Sequence, residues 1–259
     1  MPSQDQILSE NQKRFKNYSV SQTSIEKRRE TSDYFYKLIE IKLGLLKKYA
    51  PYGRILDIGC GCGDYLFLIK DLINESGVGI DFSASAVERA QKTADEKKIK
   101  HLQFFCRDFQ QSQLPDGHFD CVYSFSTLYA IPDMASAVKE ISLKLKPKAI
   151  AILDLGNKMS LNTIVSGAQV DAPLPCYVSI GEIKKCLKDN GLDVMEWRAF
   201  QILPYWGKDP WWLRPVLLSF WKRISAVEFN GKMLDEWVAS SFLFKPFAFR
   251  HIVVCRKNG

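Results

Sequence analysis

Hydrophobic and polar positions change their period repeatedly between residues 54 and 156. Short apolar runs alternate there with longer amphipathic stretches, the pattern of strands and helices taken in turn. The runs predict strands at 54–59, 77–81, 101–106, 119–125 and 149–155, and the stretches predict helices at about 64–74, 84–98 and 133–146. Strands that alternate with helices of this length indicate an α/β fold, a doubly wound and mostly parallel sheet.

The two flanks of this alternation complete the predicted organisation. Apolar residues near helical spacing predict a helix over 24–50, which Pro51-Tyr52-Gly53 ends. Beyond residue 156 the pattern predicts a helix at 181–190 and strands at 194–203 and 248–255. Residues 204–246 fit no alternation and are rich in aromatic residues. We therefore predict a helical cover at 1–50 and one main domain at 51–259, with 204–246 as an insertion before the last strand.

Composition narrows the class of protein. Hydrophobic residues make up 46% of the 259, and no stretch reaches the roughly 18 uninterrupted apolar residues of a membrane-spanning helix. The first six residues lack the apolar region of a signal peptide, so we expect a cytoplasmic protein. The seven cysteines include no Cys-x-x-Cys pair, which argues against a structural zinc site and a disulfide framework.

The net charge of +7 is carried by the flanks. Residues 1–50 hold ten Lys and Arg against six Asp and Glu, and residues 184–259 hold thirteen against seven. The middle of the chain holds thirteen against sixteen. Two interpretations stay open: a basic periphery that faces an anionic substrate or surface, and an ordinary solvated basic face.

Glycines and acids lie at the predicted carboxyl ends of the first three strands. The first strand runs into Gly59, Gly61 and Gly63, where glycine permits positive φ and a close approach of backbone to ligand. Ligands of open α/β sheets bind outside these strand ends. Asp81 ends the second strand, where a carboxylate can accept hydrogen bonds from both hydroxyls of a ribose. Asp108 follows the third strand, where it can accept one from an adenine amino group.

The fingerprint of dinucleotide sites, G-x-G-x-x-G, would need glycine at position 64, which is Asp64. The chain instead resembles the class I S-adenosylmethionine-dependent methyltransferases, within their broad small-molecule group. The resemblance rests on Leu56-Asp57-Ile58-Gly59-Cys60-Gly61-Cys62-Gly63, Gly79-Ile80-Asp81-Phe82-Ser83, Cys106-Arg107-Asp108-Phe109, Phe119-Asp120-Cys121-Val122-Tyr123-Ser124 and Leu145-Lys146-Pro147-Lys148-Ala149. It implies a seven-stranded Rossmann-like sheet with an antiparallel last strand, and S-adenosyl-L-methionine as the cofactor.

The resemblance also implies roles for single residues. Asp57 and the glycines would meet the methionine end of the cofactor, Asp81 the ribose, and Asp108 with Phe109 the adenine. The remaining predicted cofactor residues are Cys60, Phe82 and Ser124. Taken alone, Asp57 could merely brace the loop, and Asp108 could be a solvated turn acid.

The segment after the fourth strand, 124–131, should lie beside the transferred methyl group. It lacks the (Asp/Asn)-Pro-Pro-aromatic motif of enzymes that methylate planar amino groups. Ser124 stands where metal-dependent catechol methylation needs an acid, and Asp154 with Asn157 is an incomplete ligand set, so no metal is expected. Tyr129 is the candidate for orienting or deprotonating an acceptor hydroxyl, and a wall residue is the alternative. None of the three histidines is a convincing general base.

We therefore predict transfer of a methyl group to a hydroxyl of a small or lipid-like, amphiphilic acceptor by direct in-line displacement. The aromatic insertion would act as a lid that shapes the acceptor pocket, or as a peripheral membrane contact. A non-catalytic cofactor-binding subunit is one alternative. An RNA-directed enzyme is another, encouraged by the basic flanks but lacking a recognisable RNA-binding module. No DNA partner is expected, and the oligomeric state is open.

Overall fold

The sheet of the computed structural model has seven strands in the order β3-β2-β1-β4-β5-β9-β6. The strands are β1 (Arg54–Ile58), β2 (Ser76–Asp81), β3 (Leu102–Cys106), β4 (Phe119–Ser124), β5 (Leu145–Gly156), β6 (Leu192–Phe200), the short pair β7 (Glu228–Phe229) and β8 (Lys232–Met233), and β9 (Arg250–Lys257). β9 runs antiparallel to both of its neighbours, whereas β1 to β5 pair in parallel. The predicted doubly wound sheet with an antiparallel last strand is confirmed.

The structure describes residues 6, 9–10, 33–50, 53–168, 176–205, 211–217 and 219–259. The helices in these ranges are α1 (Asp33–Tyr49), α2 (Asp64–Ile69), α3 (Ala84–Glu96), α4 (Met134–Lys144), α5 (Leu161–Ala168), α6 (Ile180–Asp189), α7 (Ser219–Ser225) and α8 (Leu234–Ser240). Single turns of tighter helix lie at Lys70–Leu72, Phe109–Gln111, Leu128–Ala130 and Lys245–Phe247, and a longer tighter helix lies at Trp211–Leu217. None of the helices in these ranges is long and apolar enough to cross a membrane.

Apolar side chains are buried on both faces of the sheet. On β1, Ile55 joins the core under α1, α2 and α3, whereas its neighbour Leu56 joins the core under α4 and α6. Successive side chains of a strand point to opposite faces, so a strand that is buried twice reads as a continuous apolar run. The same alternation places Asp57 on the α1 side of the sheet, at the end of the strand.

The structure corrects the predicted start of β5 and adds one helix. β5 begins at Leu145 and not after Pro147, because an irregularity in its pairing with β4, between Phe119 and Cys121, accommodates a proline that cannot donate to the ladder. Helix α5 was not predicted by the pattern. The helix predicted over 24–50 is described only as α1, and residues 24–32 lie outside the described residues.

The insertion connects β6 to β9 on the side of the sheet where the parallel strands end. The hydroxyl of Tyr34 in α1 donates to Asp235 in α8 over 2.5 Å. The Arg198 side chain on β6 donates through Nε to Glu236 of α8 over 2.7 Å. These buried contacts fix the insertion to the sheet and to α1. The predicted division into a cover at 1–50, a domain at 51–259 and an insertion at 204–246 stays a prediction.

Candidate cofactor and acceptor site

The glycine loop, residues 59–63, turns β1 into α2 at the carboxyl edge of the sheet. Gly59 and Gly61 both have positive φ, +74° and +53°. A Cβ on Gly59 would lie 2.0 Å from Oγ1 of Thr127, so packing against the protein requires glycine there. A Cβ on Gly61 would meet nothing within 4 Å. Gly61 therefore presents bare backbone to open space, where a ligand can approach it.

Asp57 is buried at the base of this loop, and among the described residues one side chain donates to it. The Tyr123 hydroxyl donates to its Oδ2 over 3.0 Å. Burial raises the pKa of Asp57 well above its usual value, and the nearby charges of Asp81 and Asp64 add to the rise. Because few donors offset the burial of this carboxylate, a cationic ligand group would lower much of the free energy that its negative charge costs.

Cys60 and Gly63 complete the loop without adding reactive chemistry. Burial raises the pKa of the Cys60 thiol well above its usual value, so this side chain is not a nucleophile. Gly63 directly precedes α2 and has a φ of +77°. Both residues lie in the glycine loop, and their contact with the predicted cofactor stays a prediction.

Asp81 ties the end of β2 to the glycine loop. Its Oδ2 accepts from the Gly61 N–H over 2.9 Å, and its Oδ1 accepts from the Ser83 N–H over 2.9 Å. Burial raises its pKa despite these bonds. Each carboxylate oxygen has a second lone pair, so a pair of ribose hydroxyls can still donate to this group.

The predicted adenine residues lie one strand further along. Asp108 is half-buried, and its Oδ1 accepts from the Gln110 N–H over 3.0 Å. The ring of Phe109 is 5% exposed and packs in the core on the α4 side, whereas Phe82 is half-buried. Phe82 thus offers the more accessible of the two rings. Asp108 caps its own turn and retains lone pairs for a further donor.

Ser124 lies at the end of β4, beside the loop. Its side chain is completely buried, and its hydroxyl donates to the Ile58 carbonyl over 2.9 Å. This bond braces the ends of β4 and β1 against each other. The structure thus brings Ser124 to the predicted site in a bracing position, and its cofactor contact stays a prediction.

Tyr129 belongs to an aromatic wall at the end of β5, formed with Tyr177 and Phe249. The ring centroids of Tyr177 and Phe249 are 5.0 Å apart, and each lies 6.2 Å from that of Tyr129. A Cβ on Gly156 would lie 2.7 Å from the Tyr177 ring. The half-buried Tyr129 therefore contributes both an apolar face and a phenol to this wall.

A charged cluster beside the wall is the feature that sequence reasoning missed. Asp154 of β5 accepts, all on Oδ2, from Arg250 Nη1, from Lys42 Nζ over 2.8 Å and from the Ser126 N–H over 3.1 Å. Burial alone would raise the pKa of Asp154, but Arg250 and Lys42 outweigh it, and the pKa lies below its usual value. The residues of this cluster come from α1, β5, β9 and the turn after β4. They are far apart in the chain, so no sequence spacing predicts that they meet.

His251 is the buried histidine of β9. Its Nδ1 lies 2.9 Å from the Trp197 indole nitrogen and its Nε2 lies 3.1 Å from the Ala248 carbonyl, so the neutral ring satisfies both contacts. Burial lowers its pKa to about 4. His251 therefore has both ring nitrogens satisfied in the core.

The site fits a cofactor that combines a nucleoside with a cationic end. Gly61 offers open backbone, Asp81 offers acceptor capacity at the ribose position, and the poorly compensated Asp57 favours a positive charge. A family model described as a methyltransferase domain matches residues 51–191, more than half of the chain. The chain belongs to this family, within the class I S-adenosylmethionine-dependent methyltransferases. The predicted enzyme class and the predicted cofactor, S-adenosyl-L-methionine, are thereby confirmed.

Curated relatives share parts of this chain. The sterol 24-C-methyltransferase of Aspergillus fumigatus is 34% identical over 98 residues, 38% of this chain and 26% of that protein. The indolepyruvate C-methyltransferase of Streptomyces griseus is 36% identical over 99 residues, 37% and 30% of the two chains. The sterol 24-C-methyltransferase of Pneumocystis carinii is 27% identical over 204 residues, 73% and 53%. The matches thus span from about a quarter to about half of these relatives.

Solved structures share the fold. Geranyl diphosphate C-methyltransferase from Streptomyces coelicolor, in complex with Mg²⁺, geranyl diphosphate and S-adenosyl-L-homocysteine, superposes with a TM-score of 0.59 at 16% identity. The match covers 86% of this chain and 80% of that one. At this identity the likeness concerns the fold alone. The roles of single residues and the identity of the methyl acceptor stay predictions.

Proposed function

We propose that the chain transfers a methyl group to a hydroxyl of a small, amphiphilic acceptor. The observation that carries the proposal is the pairing of an aromatic wall with a charged cluster next to the glycine loop. Thr127 contacts Gly59 of the loop, Ser126 belongs to the charged cluster, and Tyr129 belongs to the wall. One short turn thus joins the cofactor loop to a lining that suits an apolar body with a polar group.

The residues proposed to hold the cofactor are those at the three strand ends. S-adenosylmethionine supplies, when bound, an electrophilic methyl group on a positively charged sulfur. Asp81 would hold the ribose hydroxyls, and Asp57 with the backbone of Gly61 would hold the methionine end. Asp108 would accept from the adenine, with Phe82 and Phe109 as apolar neighbours. Cys60, Gly63 and Ser124 would shape the loop around them.

Tyr129 is proposed to orient the acceptor hydroxyl. Its ring lies in the wall beside Phe249, and the guanidinium carbon of Arg250 lies 6.0 Å from the centroid of the Phe249 ring. A neighbouring cation stabilises negative charge that develops on an oxygen as it loses a proton. The chain would therefore favour an oxygen nucleophile that is aligned by its lining and made more acidic by Arg250.

The test of this proposal is the chemical shift of the transferred carbon. The protein is incubated with S-adenosylmethionine labelled with ¹³C in the methyl group, and with 2-naphthol and 2-naphthylamine in separate reactions. We expect a labelled methyl ether from 2-naphthol and no product from the amine, with Asp81→Ala as the inactive control. Label on a ring carbon or on nitrogen contradicts transfer to a hydroxyl.

Carbon methylation is the second candidate, because two of the relatives are C-methyltransferases, one of sterols and one of indolepyruvate. Arg250 would favour the enolate form of an enol acceptor, and an enolate carries more electron density on its carbon than the neutral enol does. The same labelled product distinguishes a methyl group on carbon from one on oxygen. Within the described residues, neither the non-catalytic subunit nor the RNA-directed enzyme gains a supporting contact.

We also propose that the insertion contacts an anionic lipid surface. Its exposed aromatic surface consists of Trp211, Trp212, Phe220, Phe229, Trp237, Phe242, Phe244 and Phe247, and Phe242 is 94% exposed. Residues 211–247 contain three acids, of which Asp235 and Glu236 are buried and Glu228 is exposed. The same range contains basic residues, among them Lys222, Arg223, Lys232 and Lys245. Aromatic rings beside basic side chains suit the interface of an anionic bilayer.

Sedimentation with vesicles tests this surface. We expect the protein to sediment with vesicles that contain phosphatidylserine and to stay in solution with pure phosphatidylcholine. The double variant Trp211→Ser with Phe242→Ser should lose sedimentation without a change in stability. Equal sedimentation of the variant and the unmodified protein contradicts the proposed surface.

A further inference from the structure

One oxygen of the charged cluster has no partner. Among the described residues, the donors to Asp154 all bond to Oδ2, whereas its Oδ1 is buried and accepts no hydrogen bond. The side chain is 1% exposed, so bulk water does not compensate this oxygen. A buried carboxylate oxygen without a donor is unfavourable, and such a group in a folded protein points to a ligand or to a bound water.

Arg250 has the complementary gap. Its Nε donates to the Gln201 Oε1 over 3.0 Å, and its Nη1 donates to Asp154 and, over 3.1 Å, to the Ser126 hydroxyl. Its Nη2 has no hydrogen-bond partner among the described residues. A guanidinium and a carboxylate commonly pair through two parallel bonds. Here the contact joins Nη1 to Oδ2. The donor Nη2 and the acceptor Oδ1, on the adjoining atoms, do not take part in it.

We propose that Asp154 Oδ1 and Arg250 Nη2 form a subsite for a neutral hydroxyl group of the methyl acceptor. A hydroxyl is both a donor and an acceptor, so it can donate to Oδ1 and accept from Nη2 at once. An ether cannot donate to Asp154, and an ammonium group cannot accept from Arg250. An alcohol, phenol or enol meets both requirements, and it is the ligand class that we assign to the subsite. This assignment rests on the proposed function, since it names the group that the methyltransferase site recognises.

The surroundings fit an acceptor with an unsaturated or ring-containing body. Gly156, two residues after Asp154, packs against Tyr177 and Tyr129 of the aromatic wall. Ser126, which bonds to both Asp154 and Arg250, directly precedes the Thr127 that contacts Gly59 of the glycine loop. The subsite therefore lies between the aromatic wall and the loop that is proposed to hold the cofactor.

The test compares phenol with anisole, two probes of similar shape that differ in the ability to donate. Binding to the full chain saturated with S-adenosylhomocysteine is measured by ligand-observed NMR up to about 20 mM, a range suited to fragments that lose little more than one charge-assisted bond. We expect phenol to bind about tenfold more tightly than anisole, the effect of one hydrogen bond to a charged group. Equal binding of the two probes, or binding of neither, overturns the assignment.

Two variants separate a hydroxyl subsite from a purely structural ion pair. Asp154→Asn replaces the accepting Oδ1 with an amide group that can donate there. Arg250→Lys removes the planar guanidinium and its Nη2 but keeps the positive charge. Both should abolish the preference for phenol while S-adenosylhomocysteine still binds, and exposed Asp116→Asn should retain it. A preference that survives in both variants overturns the assignment. The comparison on the unmodified protein decides the matter if neither variant folds.

The outcome is independent of the methylated atom. If the labelled product carries its methyl group on carbon, the proposed O-methylation fails, whereas the preference for phenol over anisole can still be observed. If the preference is absent but an ether product forms, the subsite fails and the proposed function stands.

Discussion

The two halves of this site are assembled in different ways. In the cofactor half, at the ends of β1 to β3, Asp81 bonds to Gly61 and Ser83, which lie 20 and 2 positions away in the chain. In the acceptor half, around β5, β9, α1 and the insertion, Asp154 bonds to Arg250 across 96 positions, and Tyr34 bonds to Asp235 across 201. A strand, a turn and a helix suffice for the first half. The second half exists only once the whole chain has folded.

The two halves each contain a buried acid, and these two acids differ in the number of hydrogen-bond donors that they accept from. Asp57 in the cofactor half is fully buried with one hydroxyl donor. Asp235 in the acceptor half accepts from Tyr34, Tyr205 and the backbone of 201 and 202. Poorly compensated groups gain most when a ligand binds, and well compensated groups hold the fold. Variants of Asp57 and Asp81 should therefore change affinity, and variants that remove a partner of Asp235 should change stability.

The largest expected effect on stability comes from His251 in the acceptor half. Its pKa is lowered to about 4 by burial, so the folded protein binds fewer protons than the unfolded chain. The free energy of unfolding should thus fall as the pH drops from about 6.5 to about 4, by on the order of 3 kcal/mol from this group. Urea denaturation across this range should show a weaker pH dependence for His251→Gln. An identical pH dependence would remove His251 from the account.

Asp81→Ala should weaken binding of S-adenosylhomocysteine about 100-fold, because two hydrogen bonds to a charged group are lost. Calorimetric titration measures this change. Asp71→Ala is the matched control, since its carboxylate is exposed and pairs with Lys70 on the surface. Near-normal affinity of the Asp81 variant would show that this acid does not hold the ribose.

Tyr34→Phe tests the opposite behaviour in the acceptor half. The substitution removes the hydroxyl that bonds to the buried Asp235 and keeps the ring, so it should lower the free energy of unfolding by about 2 kcal/mol. Affinity for S-adenosylhomocysteine should stay within about threefold of normal, since distant sites act independently. A large loss of affinity with unchanged stability would reverse the comparison.

The smallest expected effect separates two neighbouring glycines. Gly59→Ala introduces a Cβ against Thr127, whereas Gly61→Ala introduces one into open space, and both have positive φ. Gly59→Ala should be less stable than Gly61→Ala by about 1 kcal/mol or more, because only it adds a steric overlap to the backbone cost. Thermal unfolding measures the difference. The Gly61 variant should still lose cofactor affinity, and normal affinity would mean that no ligand lies against Gly61.

The same contrast explains how far the sequence could predict this molecule. The glycine loop, Asp81 and Asp108 follow their strands directly, so the apolar runs locate them at the carboxyl edge of the sheet. Periodicity also predicts the parallel strands, whereas the antiparallel last strand follows from the resemblance to the methyltransferases. The start of β5 was predicted wrongly, after Pro147 instead of at Leu145. The irregular pairing of β5 with β4 depends on the neighbouring strand and leaves no local signal in the sequence.

The acceptor half could not be predicted in this way. Lys42 lies within an amphipathic helix and Arg250 at the start of an apolar strand, and neither position suggests a partner until the sheet brings them to Asp154. Their pairing depends on the order of β5 and β9 and on where α1 crosses the sheet. Tyr129, by contrast, could be singled out, because it follows β4 by a few residues and stays near the loop.

The most direct test of the central claim is a calorimetric comparison of two nucleotide ligands. S-adenosylhomocysteine and NAD⁺ are titrated separately into the unmodified protein at neutral pH. We expect one molecule of S-adenosylhomocysteine to bind per chain and NAD⁺ to give no measurable heat of binding. The reason is that Asp64 stands where a dinucleotide site needs glycine. Tight binding of NAD⁺ without binding of S-adenosylhomocysteine would contradict it.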